Sequence, residues 1–286
     1  MQPSESQLSV QMVSGRTAII AGSGLLPLAI ATVMRDQGHD PFLVILRGKV
    51  DQRLYRFDHC EISIVEFAQL IRALKAAKVK NIVLAGGVTR PQWQHLKIDY
   101  PTIMAFPRIC FALGKGDDAL LRVFIRLVEK YGFHVVGAHE IVPGLLAPKG
   151  VKLTGKCPDK HERHNIALAA EAARRLGELD IGQGAIAVHG RVVALEGAEG
   201  TDNMLKRITR MRQDELIPQK GGVLVKLMKP GQDERADLPT IGPHTVENAY
   251  RARLVGIAVE AKHSFILNIE QTVNKANQYG MFIETL

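Results

Sequence analysis

The run TAIIAGSGLLPLAIATVM, Thr17 to Met34, decides the fold class of this chain. Thr17–Ala21 is apolar and partly β-branched, as a buried strand is, and Gly22-Ser23-Gly24 ends it. Leu26, Ala29, Ile30, Val33 and Met34 then recur on one helical face. Pro27 is tolerated in the first turn, where its missing N–H has no helical partner to lose. A strand, a glycine turn and a helix open a βαβ unit, and the pattern continues outward. Phe42–Leu46 (FLVIL) and Glu61–Val65 read as strands, and Phe67, Leu70, Ile71 and Leu74 as a helix face. Ile82–Ala85 (IVLA) runs into Gly86-Gly87. Leu120, Leu121, Phe124, Leu127 and Val128 mark a further helix before a strand at Phe133–Ala138. Strands that are apolar throughout and alternate with helices belong to a parallel sheet covered on both faces. Residues 17–148 are therefore expected to form a Rossmann-like α/β domain.

From Pro143 to Pro158 prolines, glycines and lysines occur without a period, which places a boundary near residue 148. The pattern beyond it is mixed. Ile166 to Leu176 is an alanine-rich helix, and Ala185–Val188 and Val192–Glu196 flank a hairpin turn at His189-Gly190-Arg191. Thr201 is placed to cap a helix carrying Leu205, Ile208 and Met211. Gly222–Met228, Gly256–Glu260 and Ser264–Leu267 read as strands, and a last helix closes the chain. Residues 149–286 are expected to form a mixed α/β domain. Residues 1–16 are polar, with neither a basic nor an apolar leader region, and are expected to be a disordered tail.

Composition narrows the function classes. At 286 residues, 46% apolar and 23% charged, the chain can bury a core without staples. Cys60, Cys110 and Cys157 are far apart and form no CxxC pair, which argues against a disulfide framework or a zinc site and suits a reducing cytosol. No stretch approaches the ~18 apolar residues of a spanning helix. The net charge of +8 implies attraction to anions. Nucleic acid fits poorly, because the basic residues are dispersed and only nine phenylalanines, five tyrosines and one tryptophan offer stacking surfaces.

In an open α/β sheet ligands bind beyond the carboxyl ends of the strands. Three loops of the first half are expected there. Gly22-Ser23-Gly24 enters a helix whose N-terminus favours an anion, or is simply a tight turn. As a dinucleotide fingerprint it fails, since Pro27 holds the third glycine position of GxGxxG and Arg47-Gly48, not an acid, follow the second strand. Gly86-Gly87 precedes Arg90, which either forks onto a phosphate or is a solvated charge. Asp117 and Asp118 stand before a helix, where they cap it or meet substrate. In the second half Lys226 to Gly242 (KLMKPGQDERADLPTIG) is the densest chemical stretch, and Glu199-Gly200-Thr201-Asp202 sets carboxylates at a helix start. His139 sits at a strand end beside Glu140, while His161 and His164 lie one turn apart; none has HExxH spacing, so solvent-exposed histidines are expected.

Seven of these motifs occur in an order that resembles a known family. AGSGLLP (Ala21–Pro27), LAGGVTRP (Leu84–Pro91), GDDALLR (Gly116–Arg122), VVGAHE (Val135–Glu140), EGTDNML (Glu199–Leu205), GGVLVKLMKPGQD (Gly221–Asp233) and DLPTIGPHTV (Asp237–Val246) are similar to the LpxI-type UDP-2,3-diacylglucosamine pyrophosphatases. The resemblance implies hydrolysis of the pyrophosphate of UDP-2,3-diacylglucosamine to UMP and 2,3-diacylglucosamine 1-phosphate in lipid A synthesis, with substrate in an interdomain cleft. It implies Mg²⁺ or another divalent ion, a homodimer, and work at the cytoplasmic face of the inner membrane as a peripheral protein, without nucleic acid. Asp233 corresponds to the family's essential aspartate, as catalytic residue and metal ligand, with Asp237 the second choice. Substrate contact is expected from Gly22, Ser23, Gly24, Gly86, Gly87, Arg90, Asp117, Asp118, Glu199, Thr201, Asp202, Lys226, Lys229, Gln232, Asp237 and Thr240. The alternative is a nucleotide-sugar-binding α/β protein without catalysis.

Overall fold

The computed structural model describes residues 14–48, 50–63, 66–87, 117–235 and 237–286, with 117–120 as backbone. Most of the expected tail, Arg90 and Cys110 lie outside the described residues, as do the side chains of Asp117 and Asp118. The chain divides into two units. One comprises the residues up to Gly144 with Asp233–Asp237, and the other Leu145–Gln232 with Leu238–Leu286.

In the first unit the elements are β1 (Arg16–Ala21), α1 (Leu26–Asp36), β2 (Phe42–Leu46), β3 (His59–Ile62), α2 (Phe67–Ala76), β4 (Val79–Ala85), α3 (Asp117–Lys130), β5 (His134–Val135) and α4 (Ala138–Ile141). The sheet order is β3-β2-β1-β4-β5, and every pairing is parallel. This is the expected Rossmann-like arrangement, with the sequence-first strand at its centre. Side chains alternate across the strands. Ala18, Ile20, Val44, Ile82 and Leu84 pack with Leu70, Ile71, Leu74, Ile125 and Val128 of α2 and α3. Ile19, Leu43, Ile45 and Val83 alternate with them and are fully buried as well. Each such side chain contributes about 1.5–3 kcal/mol on leaving water, which is why these strands carry no polar face.

Two expectations are corrected in this unit. Arg16 belongs to β1 rather than to a tail, because its guanidinium bonds the carboxylates of Asp40 at 2.7 Å and Asp58 at 2.6 Å. The strand expected over Phe133–Ala138 stops at Val135. The Gly137 amide donates to Glu140 Oε1 at 2.7 Å, which caps a helical turn and places His139 in α4 rather than at a strand end.

The second unit contains α5 (Lys160–Glu178), β6 (Gly184–Val188), β7 (Arg191–Leu195), α6 (Gly200–Gln213), β8 (Val223–Lys226), β9 (Thr240–Ile241), α7 (Pro243–Arg251), β10 (Gly256–Val259), β11 (Phe265–Ile266), α8 (Ile269–Gln278) and β12 (Phe282–Thr285). Its main sheet runs β12-β10-β8-β6-β7. The first three strands are parallel and the last two antiparallel, so the sheet is mixed. β9 and β11 form a separate parallel pair. Ile166, Ala169 and Ala173 of α5 pack on Ala185, Val225 and Ala258. Met204, Ile208, Val246 and Ala276 of the other three helices cover Ile186, Leu224 and Ile257 on the opposite face.

The hairpin turn is His189-Gly190 alone, both at positive φ (48° and 78°), the backbone of a two-residue turn matched to strand twist. Arg191, expected in the turn, starts β7. Thr201 does not cap α6. It lies inside the helix, past the cap position held by Glu199, and its hydroxyl donates to the buried Glu196 Oε1 at 2.6 Å, a charge-assisted bond. α7, β9 and β12 were not expected from the sequence. Gly242-Pro243, an extended glycine before proline at the first helical position, is the signal for α7.

Candidate functional site

Both glycine loops of the first unit lie at the carboxyl ends of central strands, β1 and β4, and they grip each other. Ser23 N–H donates to Gly87 O at 2.8 Å, Gly87 N–H returns to Ser23 O at 3.0 Å, and Gly22 N–H reaches Ala85 O at 2.9 Å. The Ser23 hydroxyl adds a bond to Gly87 O at 3.0 Å. A Cβ on Gly22 would overlap the Gly87 carbonyl, and one on Gly86 the Ser23 carbonyl. Glycine is required here because two backbones touch. The amides of Gly22, Ser23 and Gly87 are spent on that contact, while Gly24, at φ 95°, has open space where a side chain would stand.

Asp233 belongs to the same unit and is held from two residues away. Oδ1 accepts from the Arg235 amide at 3.1 Å and from Arg235 Nε at 3.0 Å, and Oδ2 accepts from Arg235 Nη2 at 2.7 Å. Arg235 Nη1 also donates to Glu129 of α3 at 3.1 Å. The Arg235 guanidinium, with a smaller contribution from the charge of Arg122, holds the Asp233 carboxyl below the usual aspartate range. Arg235 is raised in turn by the same bond. His139 Nε2 lies 3.9 Å from Glu234 Oε2, close to the same segment, and its buried Nδ1 has no hydrogen-bond partner. Asp237 is exposed. Arg235 and Glu129 were missed at the sequence level. A bidentate pair two residues apart leaves no periodic trace, although DER was in view.

In the second unit Lys226 ends β8 and is only 5% exposed. Its ammonium donates to the backbone carbonyl of Thr240 at 3.2 Å, with no carboxylate partner among the described residues. A buried cation without a counterion is costly unless an anion arrives. Lys229 differs, because its ammonium is paired with Asp180 at 2.7 Å. Gln232 is buried and closes the turn, its Oε1 accepting from Lys229 N–H at 3.3 Å. Glu260 Oε2 accepts from Met228 N–H at 3.0 Å and fixes the exit of the strand. The Thr240 hydroxyl donates to Leu238 O at 3.1 Å.

The Glu199–Asp202 motif is committed to structure in large part. Glu199 is paired with Arg207 at 2.6 Å. Backbone hydrogen bonding, opposed by some burial and aided by Arg207, lowers its carboxyl. Asp202 accepts from Asn248 Nδ2 at 2.9 Å and lies 3.6 Å from His244, tying α6 to α7. Cys60 is no nucleophile: burial, with the charge of Asp58, pushes its thiol up to about 11. No group of three or more His, Cys, Asp or Glu side chains among the described residues could hold a metal.

Two family models match in succession, the LpxI N-terminal domain over residues 16–145 and the LpxI C-terminal domain over residues 148–284. The chain belongs to the LpxI family. A curated relative from Caulobacter vibrioides, named UDP-2,3-diacylglucosamine pyrophosphatase LpxI, is 36% identical over 270 residues, covering 94% of this chain and 96% of that protein. In this LpxI family member, Asp233–Asp237 falls within the C-terminal family domain by sequence yet groups with the first unit.

Proposed function

We propose that this chain hydrolyses the pyrophosphate bond of UDP-2,3-diacylglucosamine, releasing UMP and 2,3-diacylglucosamine 1-phosphate. The observation that carries this is identity along nearly the full length of a relative bearing that activity in its name. A binding protein without catalysis is not favoured, because the relative matched along nearly its whole length carries a pyrophosphatase's name. The substrate's two phosphoryl groups repel an incoming water, so the protein must supply positive charge where negative charge develops. Lys226 suits that role as a buried ammonium bonded only to a carbonyl. Gly24, Arg90, Asp117, Asp118 and Thr240 keep their proposed places at substrate. Lys229, Gln232, Glu199, Thr201 and Asp202 act through the turns and helices they fasten.

For Asp233 the hydrogen bonds favour one of two roles. Three of its lone-pair directions are taken by Arg235, two on Oδ1 and one on Oδ2, with one on Oδ2 not taken by a hydrogen bond from the described residues. The donor fits a hard cation such as Mg²⁺, which needs one or two carboxylates and takes its remaining oxygens from water and substrate. When bound, such an ion would shield the phosphoryl oxygens and lower the pKa of a coordinated water. A general base works best with a pKa near the working pH, and a carboxyl held below 3.8 is a poor one. Asp233 is therefore proposed as the metal ligand. We also propose a homodimer in the cytoplasm, checked by sedimentation equilibrium.

The test is UMP release from the acylated UDP-sugar with and without Mg²⁺. Asp233→Ala and Asp233→Asn should lower kcat by roughly a thousandfold or more, while thermal unfolding and substrate binding are retained. Activity within a few-fold of the parent chain in both variants removes Asp233 from the reaction.

A further inference from the structure

The second unit holds a cavity of about 390 Å³ that none of the roles above uses. It lies at the edge where the chain enters the parallel strands, among the turns that precede β8, β10 and β12. Lys226 stands at the other end of β8, roughly 10 Å away along the strand at ~3.3 Å per residue. The cavity is thus separate from the strand ends that carry Lys226 and Thr240.

Two kinds of surface line it. Tyr250 and Tyr279 are stacked, with centroids 4.0 Å apart and planes 8° from parallel, and Tyr250 remains 47% exposed. Beside them stand Lys156, Lys220, Arg251 and Arg253. Lys156 is paired with Glu162 and Arg251 with Glu247. Lys220 and Arg253 have no carboxylate partner among the described residues, Arg253 donating only to Gln219 Oε1 at 3.3 Å. The loop carrying Lys220 is fixed from behind. Arg212, 3% exposed, donates to the carbonyls of Pro218 and Gly221, and Gly221 N–H bonds Arg253 O at 3.0 Å.

Helices α7 and α8 end at this edge, and their dipoles favour a cation or two in the last turn. That accounts for Arg251, already matched by Glu247. It leaves Lys220, Arg253 and the buried Arg212 as surplus positive charge. Burial, and to a smaller degree the charge of Arg253, pushes Arg212 below the ordinary arginine value.

We propose that this pocket binds a mononucleotide, its base against the Tyr250–Tyr279 stack and its phosphates between Lys220 and Arg253. A flat aromatic face next to unpaired cations matches a ligand that is planar at one end and doubly negative at the other. The volume lies within the range of small-molecule sites. A half-open pocket of this size, set in a dispersed basic surface, fits a single nucleotide better than a strand of RNA.

Calorimetric titration of the full chain with ADP, GDP and UDP tests this, with inorganic phosphate, a single-stranded RNA and vesicles of anionic phospholipid as comparison arms. The expected result is binding of at least one nucleotide that weakens roughly tenfold or more in Arg253→Ala and in Lys220→Ala. Tyr250→Ala should lose a similar factor and Tyr250→Phe should recover it. Arg253→Ala should hydrolyse the UDP-sugar at the parent's rate while losing nucleotide affinity, so the two sites are read separately. Absence of nucleotide binding, binding indifferent to all three pocket substitutions, inorganic phosphate bound as tightly as nucleotide, or pocket substitutions that weaken RNA or vesicle binding more than nucleotide binding would each overturn the proposal. Circular dichroism of each variant separates loss of the ligand from loss of the fold.

Discussion

Asp233 is the residue on which two demands meet: it must stay ionised, and it must remain free to engage a ligand. Arg235 meets the first demand and encroaches on the second, because its fork occupies both carboxylate oxygens. Removing the fork should therefore move the acid side of the activity profile. In Arg235→Gln the Asp233 carboxyl should rise toward its ordinary value of 3.8, so the low-pH limb of kcat/KM shifts upward relative to the parent. The stability consequence has a definite sign. A carboxyl lowered on folding stabilises fully above its unfolded value, and that contribution disappears as pH falls through the lower folded value. The pair is partly exposed, so about 1 kcal/mol at neutral pH is the reasonable scale, declining once pH drops below the unfolded value of 3.8 and gone only below the folded one. Urea midpoints for the parent and Arg235→Gln that differ at pH 3 as much as at pH 7 would contradict this account.

At the scale of elements, the apolar runs were readable because burial leaves a pattern. FLVIL became β2 residue for residue, and the Thr17–Ala21 run became the central strand, lengthened by one residue through an arginine that two carboxylates hold. Short or half-polar elements left no such trace. β9 is two residues long, and β12 (FIET) is four residues long and half polar, so that Gly280, at φ 63°, announces the end of the last helix but not the strand after it. The motifs proposed for the site were visible in the sequence, but their hydrogen bonds were not. The glycine pairs stood out, yet the sequence could not say that Gly22 and Gly86 are glycine for the sake of each other's loop. That distinction is testable. Gly86→Ala must accept both a φ of 84° and a carbonyl overlap with Ser23, so it should destabilise by about 2–4 kcal/mol, read from urea unfolding. Gly24→Ala has the same backbone constraint but open space around it and should cost only about 1 kcal/mol. Equal effects at the two positions would mean that the loop contact carries no weight.

For the whole molecule, the question is how a protein with no helix long and apolar enough to cross a membrane, among its described residues, would reach the diacylated substrate proposed for it. The formal charge of +8 supplies long-range attraction to anionic headgroups. The surplus is spread over the sequence rather than gathered in one basic run, so the association it drives should be weak and screened by salt. Exposed apolar side chains form no helix face: Leu179 and Ile181 stand two residues apart in the turn after α5, and Leu216 is far along the chain from them. Binding to vesicles containing anionic phospholipid should therefore be measurable at about 0.05 M salt, where the Debye length exceeds 10 Å, and mostly lost by about 0.5 M. Neutral vesicles should retain little protein at either salt. Because the attraction is electrostatic, raising the pH toward the isoelectric point near 9.4 should weaken it in parallel with salt. Co-sedimentation across both series checks the point. Salt-independent retention on neutral vesicles would show that an apolar surface, rather than net charge, brings this protein to its lipid.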